Sequence, residues 1–306
     1  MEMNQSLDRG GLLAAASAFV LWGLFPLYWV LLKTLPAIQI VGHRVVWCAL
    51  FVGVWLHHRE GIGWLRRSLV DPRTLPILLA SSVLISINWG IYIWAVLSGR
   101  VVEASLGYFI NPLVNVLIGV MLLGERLNRA QTLAVAIAAV GVLWLTLRLG
   151  TPPWVALTLA LSFGFYGYLR KKVAVDAVPG LAIESLLLSV PAIGYLLWAE
   201  IGGFGVFGQG GTGDRLLLAF GGALTAIPLI GFAYGARRIP YSLVGILQYL
   251  APTLQLLIGV LLLGEPFTGD QAIGFGCIWL ALVLYAGDGL RRSRKAGRAA
   301  APPQST

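Results

Sequence analysis

Residues 112–125 read PLVNVLIGVMLLGE, and residues 252–265 read PTLQLLIGVLLLGE. The two stretches lie 140 residues apart and agree at nine of fourteen positions, among them Pro112/Pro252, Gly119/Gly259, Gly124/Gly264 and Glu125/Glu265. Asn115 and Gln255 are amides at matching places, and Gln131 matches Gln271 further on. Apolar helices resemble one another through composition. A proline, two glycines and a glutamate held in one register mark an internal repeat.

The chain around this repeat is 306 residues long and 58% hydrophobic, with only 22 Lys plus Arg and 13 Asp plus Glu. Its mean hydropathy is +0.82. A soluble protein carries full charges on about a quarter of its residues. So few charges cannot cover a water-facing surface, which excludes a soluble enzyme and a disordered chain. A membrane helix needs about 20 apolar residues. Ten such runs fall near 11–32, 37–57, 75–98, 101–123, 130–148, 153–169, 180–201, 215–235, 240–263 and 269–287. The first run is longer than a signal-peptide core and has no convincing Ala-x-Ala cleavage site, so it reads as a retained helix.

The repeat joins span 4 to span 9. The chain therefore divides into residues 1–150 and 151–290, five spans each. Five is odd, so the second half enters the bilayer upside down. The expected fold is an all-α membrane protein of ten transmembrane helices in a 5+5 inverted repeat. That architecture recurs in secondary transporters, with the site at the midplane where the halves meet.

The basic residues set an orientation. With the N-terminus in the cytoplasm, 17 of the 22 fall in cytoplasmic segments, and only Lys33, Arg100, Arg148 and Arg215 fall outside. Positive charge marks the inside of membrane proteins, so both termini are expected in the cytoplasm. The same distribution accounts for the net charge of +9 without nucleic acid. Residues 291–306 read as a basic disordered tail, and the glycine-rich stretch 202–213 as a flexible external loop.

Ionisable groups inside a bilayer are expensive, so each needs a reason. Arg44 lies about eight residues into span 2, roughly 12 Å along the helix. It suits either a substrate carboxylate or an ion pair locking two helices. Glu103, at the N-terminal end of span 4, is a candidate partner for it, or a helix-end charge among headgroups. Glu184 in span 7 occupies the position that the 140-residue shift assigns to Arg44. A gate, a proton carrier or a solvated position all fit it. His43 suits a helix-facing hydrogen bond or a titrating group. Tyr108, Asn111 and Asn115 share one face of span 4, and Gln248, Pro252 and Gln255 one face of span 9, with Tyr249 beside them. Amides in lipid must be satisfied, so these faces should point into the bundle. Pro112 and Pro252 are expected to bend their helices. Asn88, Trp89, Tyr92 and Trp94 offer an aromatic wall with one amide. Glu125 and Glu265 read as structural caps or interfacial contacts.

Span 4 with its entry reads EASLGYFINPL at 103–113, span 2 carries HRVVW at 43–47, and span 6 ends FYG at 165–167 with RKK at 170–172. In these stretches the chain resembles the RarD group of EamA-type permeases, within the drug/metabolite transporter superfamily, from about residue 10 to 290. The resemblance implies ten spans, a central cavity lined by spans 1–4 and 6–9, and small-molecule transport, often export, in a bacterial inner membrane. Members are commonly labelled chloramphenicol-sensitivity permeases; better understood relatives export amino acids and other metabolites. Span 1 has no embedded acid, so the proton-coupling glutamate of the small multidrug branch does not carry over.

No cofactor or metal is expected. The two cysteines, Cys48 and Cys277, form no Cys-x-x-Cys pair, and His43, His57 and His58 form no zinc-binding spacing. No hydrolase or nucleotide-binding motif occurs. A channel, or a membrane enzyme without a recognisable motif, remains as the competing class. The expected partners are a small-molecule substrate, lipid and a proton or other coupling ion. A monomer or a homodimer fits. A reporter fused after Thr306 is expected to read cytoplasmic, and one inserted at 202–213 external; the reverse pattern contradicts the charge reading.

Overall fold

The computed structural model describes residues 8–124, 126–239 and 241–299. Every regular element it contains is helical. Span 1 is Arg9–Val30, span 2 Ala37–Glu60, span 3 Thr74–Leu97, span 4 Val101–Leu123 and span 5 Arg129–Leu149. Span 6 is Trp154–Lys171, span 7 Ala177–Ile201, span 8 Thr212–Ala236 and span 10 Gly269–Ala299. Span 9 is built of Tyr241–Leu247, Leu250–Leu257 and a π-helical turn at Ile258–Leu262. Short helices at Gly63–Ser68 and Val206–Gln209 lie in the connections.

Eight of these helices are long and apolar enough to cross a membrane by themselves. The 18-residue span 6 and the broken span 9 complete the ten. Large apolar side chains cover the outside of the bundle; Leu13 is 67% exposed and Val190 76%. Such a surface suits lipid and not water. The chain is an all-helical membrane protein.

The repeat is visible in how helices meet. Gly42 of span 2 lies against Leu196 of span 7, and Cys48 of span 2 against Ser185 of span 7, so these counterparts cross antiparallel. At span 4, the Glu265 carboxylate beyond the end of span 9 accepts from the backbone N–H of Val101 (2.7 Å) and Val102 (2.8 Å). The C-terminal end of one helix thus meets the N-terminal end of its counterpart. Spans 5 and 10 repeat the pattern, with Gly141 against Cys277, and Trp144 donating to the Asp270 carbonyl. Span 1 packs on span 8 as span 6 packs on span 3. Gly23 receives Leu254 as Gly164 receives Val114, again 140 or 141 residues apart.

Local chemistry repeats as well. Asn128 and Gln131 form a capping box at the start of span 5, and Thr268 and Gln271 bond in the same reciprocal way at the start of span 10. The chain ends gather on one face, tied by Asp8–Arg238, Asp176–Arg237 and Asn128–Asp288 contacts. We call this the terminal face.

Three sequence expectations change in detail. The helix of span 10 runs through the basic stretch to Ala299, and residues 300–306 lie outside the described residues. The stretch 202–213 is docked: Glu200 accepts from the N–H of Phe207 and Gly208, and Gln39 donates to the Phe204 carbonyl and accepts from Val206. The small residues let the Glu200 carboxylate lie close to the backbone; a Cβ at Gly205 or Gly208 would push it aside. The two prolines differ: span 4 stays a continuous helix through Pro112, whereas span 9 is interrupted at Gln248–Tyr249, just before Pro252. Proline cannot donate to the carbonyl four residues back. In span 9 the break falls at that residue.

Span 8 packs tightly on span 2 at Gly222, where a Cβ would sit 2.4 Å from the Trp47 carbonyl carbon. Gly222→Val is expected to cost about 1–3 kcal/mol or more by overpacking. Gly53→Ala, with nothing within 4 Å of its Cβ, should be neutral or gain up to about 1 kcal/mol. Thermal unfolding of both variants in one detergent checks the contrast.

Candidate functional site

Two buried charges lie on either side of the crossing of spans 2 and 7. Arg44 is 4% exposed and Glu184 1% exposed. The structure gives them dyad-related surroundings. Arg44 touches spans 1, 3 and 8; Glu184 touches spans 6 and 3.

Arg44 has no carboxylate partner among the described residues. Its Nε donates to Thr225 Oγ1 of span 8 at 2.8 Å. Its guanidinium lies 4.2 Å from the ring centre of Trp89, 5.3 Å from Trp29 and 5.8 Å from Phe25. Nη1 has no hydrogen-bond partner. Cation–π contacts contribute about 0.5–2 kcal/mol each, and a hydrogen bond from a charged group about 1.5–3 kcal/mol. Burying an ion costs several kcal/mol even after relaxation. The rings and one hydroxyl roughly offset that cost and leave a donor over. Tyr92 and Tyr108 meet edge to face at 5.7 Å, within electrostatic reach of Arg44. Tyr92 Oη and Trp29 Nε1 are likewise buried without partners.

Glu184 is fully engaged. It accepts from Ser81 Oγ of span 3 at 2.5 Å and from Tyr166 Oη of span 6 at 3.2 Å, and Arg170 Nε lies 3.8 Å away. Charge-assisted hydrogen bonds run at about 2.7–2.9 Å, so the Arg170 contact is a loose ion pair. Arg170 is held by the carbonyls of Val175 and Asp176. Its guanidinium lies flat on Gly180, where any side chain would overlap it.

The other sequence candidates separate. Glu103 does not meet Arg44. It pairs with Arg100 at 2.7 Å and accepts from the Val155 N–H, so it joins the starts of spans 4 and 6. Asn88 is interhelical glue, donating to the Leu159 carbonyl and Ser162 Oγ. His43 stacks on Phe207 of the docked loop at 5.1 Å, with Nε2 unpartnered. Gln255 donates to the Trp22 carbonyl, and its dyad counterpart Asn115 is exposed beside Gly164. Asn111 is buried with Oδ1 unpartnered. Gln248 and Tyr249 are half-buried at the break in span 9. Trp94 sits at the bundle end with Arg100 and Trp154. Glu125 lies outside the described residues, while Glu265 caps span 4 as expected of it.

Sequence reading missed Trp29, Phe25 and Thr225 around Arg44, and Ser81, Tyr166 and Phe207. Trp29 and Thr225 had a signal: both sit in the spans related by the dyad to those that hold Glu184. Among the described residues no cluster of His, Cys, Asp and Glu could hold a metal ion.

A helical bundle built twice in opposite senses, with charges buried at the crossing of the halves, is a membrane-transporter architecture. The chain belongs to the EamA-like transporter family, whose model matches residues 8–147 and again 152–287. This is a transporter family and not an enzyme family. The chain is 47% identical to Protein RarD of Streptomyces exfoliatus, covering 96% of this chain and 95% of that protein. It is 46% identical to the uncharacterized transporter YojE of Bacillus subtilis, covering 92% and 95%. The chloramphenicol-sensitive protein RarD of Pseudomonas aeruginosa is 37% identical over 94% of this chain and 97% of its own. A solved crystal structure at 21% identity superimposes with a TM-score of 0.57, over 90% of this chain and 96% of that one, a likeness of fold. The chain is a multi-pass membrane protein with bacterial relatives.

Arg170→Gln and Glu184→Gln should each lower thermal stability, and the double variant should lose less than both together. The expected coupling is about 1–3 kcal/mol. Additive losses in a double-mutant cycle would mean that the pair contributes nothing.

Proposed function

We propose that this chain exports small organic molecules across the bacterial inner membrane by alternating access, its two halves rocking about the crossing of spans 2 and 7. The observation that carries this reading is the placement of Arg44 and Glu184. Equivalent positions of an inverted repeat hold opposite charges, one on each side of the crossing, both buried. The path runs past Arg44, Trp89, Tyr92, Tyr108, Asn111 and Gln255. The excess of basic residues supports a cytoplasmic terminal face, an orientation that assigns Glu184 to the cytoplasmic half of the path and Arg44 to the other. Amphipathic aromatic compounds are candidate cargo, in keeping with the name of the Pseudomonas aeruginosa relative and with the aromatic lining.

Glu184 is our candidate for the coupling carboxylate. The groups facing it are Ser81 of span 3 and Tyr166 and Arg170 of span 6, with Cys48 of span 2 behind Ser185. Protonating it would release Arg170 while leaving hydroxyl partners for the neutral acid. An uncoupled channel and an enzyme predict different outcomes from a carrier. The test is flux of labelled chloramphenicol and of a metabolite mixture in proteoliposomes, with and without a pH gradient. Saturable flux driven by the gradient, without product formation, supports the proposal. Glu184→Gln should keep exchange of cargo across the membrane but lose its response to the gradient. Non-saturating flux, or an unchanged gradient response in Glu184→Gln, contradicts the mechanism.

A further inference from the structure

The Arg44 box contains more hydrogen-bond donors than the protein uses. Arg44 Nη1, Trp29 Nε1 and Tyr92 Oη are all buried and all without a partner. The Trp29 ring centre lies 5.3 Å from the guanidinium, and Tyr92 belongs with Trp29 and Phe25 to one buried cluster, packed edge to face on Tyr108. A buried polar group left unpaired is costly and calls for an explanation at each such site. Unpaired donors in the cluster that holds a buried cation make a donor-rich site suited to an anionic acceptor.

We infer that this box binds a monocarboxylate with an aromatic or branched apolar body, as the cargo of the transport reading on which the inference rests. Arginine stays charged in nearly any setting, so the box keeps its preference for an anion across the physiological pH range. One guanidinium with neutral donors matches one negative charge, not the two of a phosphate monoester. The apolar body has a place as well. Trp89 and Tyr108 are less deeply buried than Trp29, Phe25 and Tyr92, and their rings offer the apolar body a surface to pack on.

The same census discriminates against amino acids. A zwitterion would bring an ammonium group needing an acid. Glu103 is occupied by Arg100 and the Val155 N–H. Glu184 is occupied by Ser81, Tyr166 and Arg170, in the other half of the path. What remains for an ammonium is uncharged: three ring faces that already carry the Arg44 guanidinium, and the unpartnered amide oxygens of Asn111 and Gln255 further along the path. The box therefore separates cargo by charge first and by shape second.

The test uses the full chain in nanodiscs, with binding read by calorimetry and by quenching of tryptophan fluorescence. The probes are phenylacetate, phenylacetamide, phenylethylamine and phenylalanine, which share a ring and differ in charge. Phenylacetate should bind saturably, and each of the others about tenfold to a hundredfold more weakly. Arg44→Gln should erase the preference for phenylacetate over phenylacetamide. Trp89→Leu should weaken phenylacetate while keeping its preference over the amide, a readout available even if Arg44→Gln fails to fold. Absence of saturable phenylacetate binding, equal binding of the amide, or a preference surviving in Arg44→Gln would overturn the inference. Flux indifferent to cargo charge would sink the anion site and leave the transporter standing. Charge-selective binding with no flux would keep the site and sink the transport reading.

Discussion

Two copies of one five-helix unit, inserted in opposite senses, can share a bilayer only if each helix meeting its own counterpart meets it antiparallel. The structure obeys this at spans 2 and 7, 4 and 9, and 5 and 10. The packing follows from that constraint. Gly23 and Gly164 admit Leu254 and Val114 at equivalent places, and matching capping boxes start spans 5 and 10. Glu265 belongs to the same pattern, since the end of span 9 can cap the start of span 4 only when the helices are opposed.

A bundle set in lipid then makes every polar side chain near the crossing significant, because a buried polar group without a partner is costly there. The two dyad-related charges resolve this differently. Glu184 takes up two hydroxyls and an arginine and is complete. Arg44 takes up one hydroxyl and three rings and is not. The inverted repeat supplies one scaffold, and the divergence of a single position, arginine in one half and glutamate in the other, makes its two sides chemically unequal. In the mechanism we propose, this inequality assigns the halves distinct tasks, with cargo on one side and coupling on the other.

The architecture was legible in the sequence because it is written locally. Twenty-residue apolar runs, a repeated proline–glycine–glutamate register and the spacing of arginines each need only a short window. The buried charges could be named for the same reason. Their partners could not. Thr225 is 181 residues from Arg44, and Ser81 is 103 from Glu184; neither is marked by periodicity. Of the two readings of Glu103, the pair with Arg44 does not form, because Arg100 at the N-cap three residues away is a nearer partner. The loop at 202–213 was misjudged from its glycines. These glycines give Glu200 access to backbone N–H groups and so order the chain. The break in span 9 was half legible: Pro252 announced it, but Pro112 sits in an intact helix.

The central claim is that the two halves move as units about this crossing, so that one face opens as the other closes. Paired spin labels test it most directly, in a chain from which Cys48 and Cys277 have been removed. One pair, Ser98 and Gly213, reports the face opposite the chain ends; another, Glu60 and Lys172, reports the terminal face. Distances measured with and without bound cargo should change in opposite directions, one pair lengthening as the other shortens. Distances that stay fixed, or that lengthen and shorten together, would contradict the account.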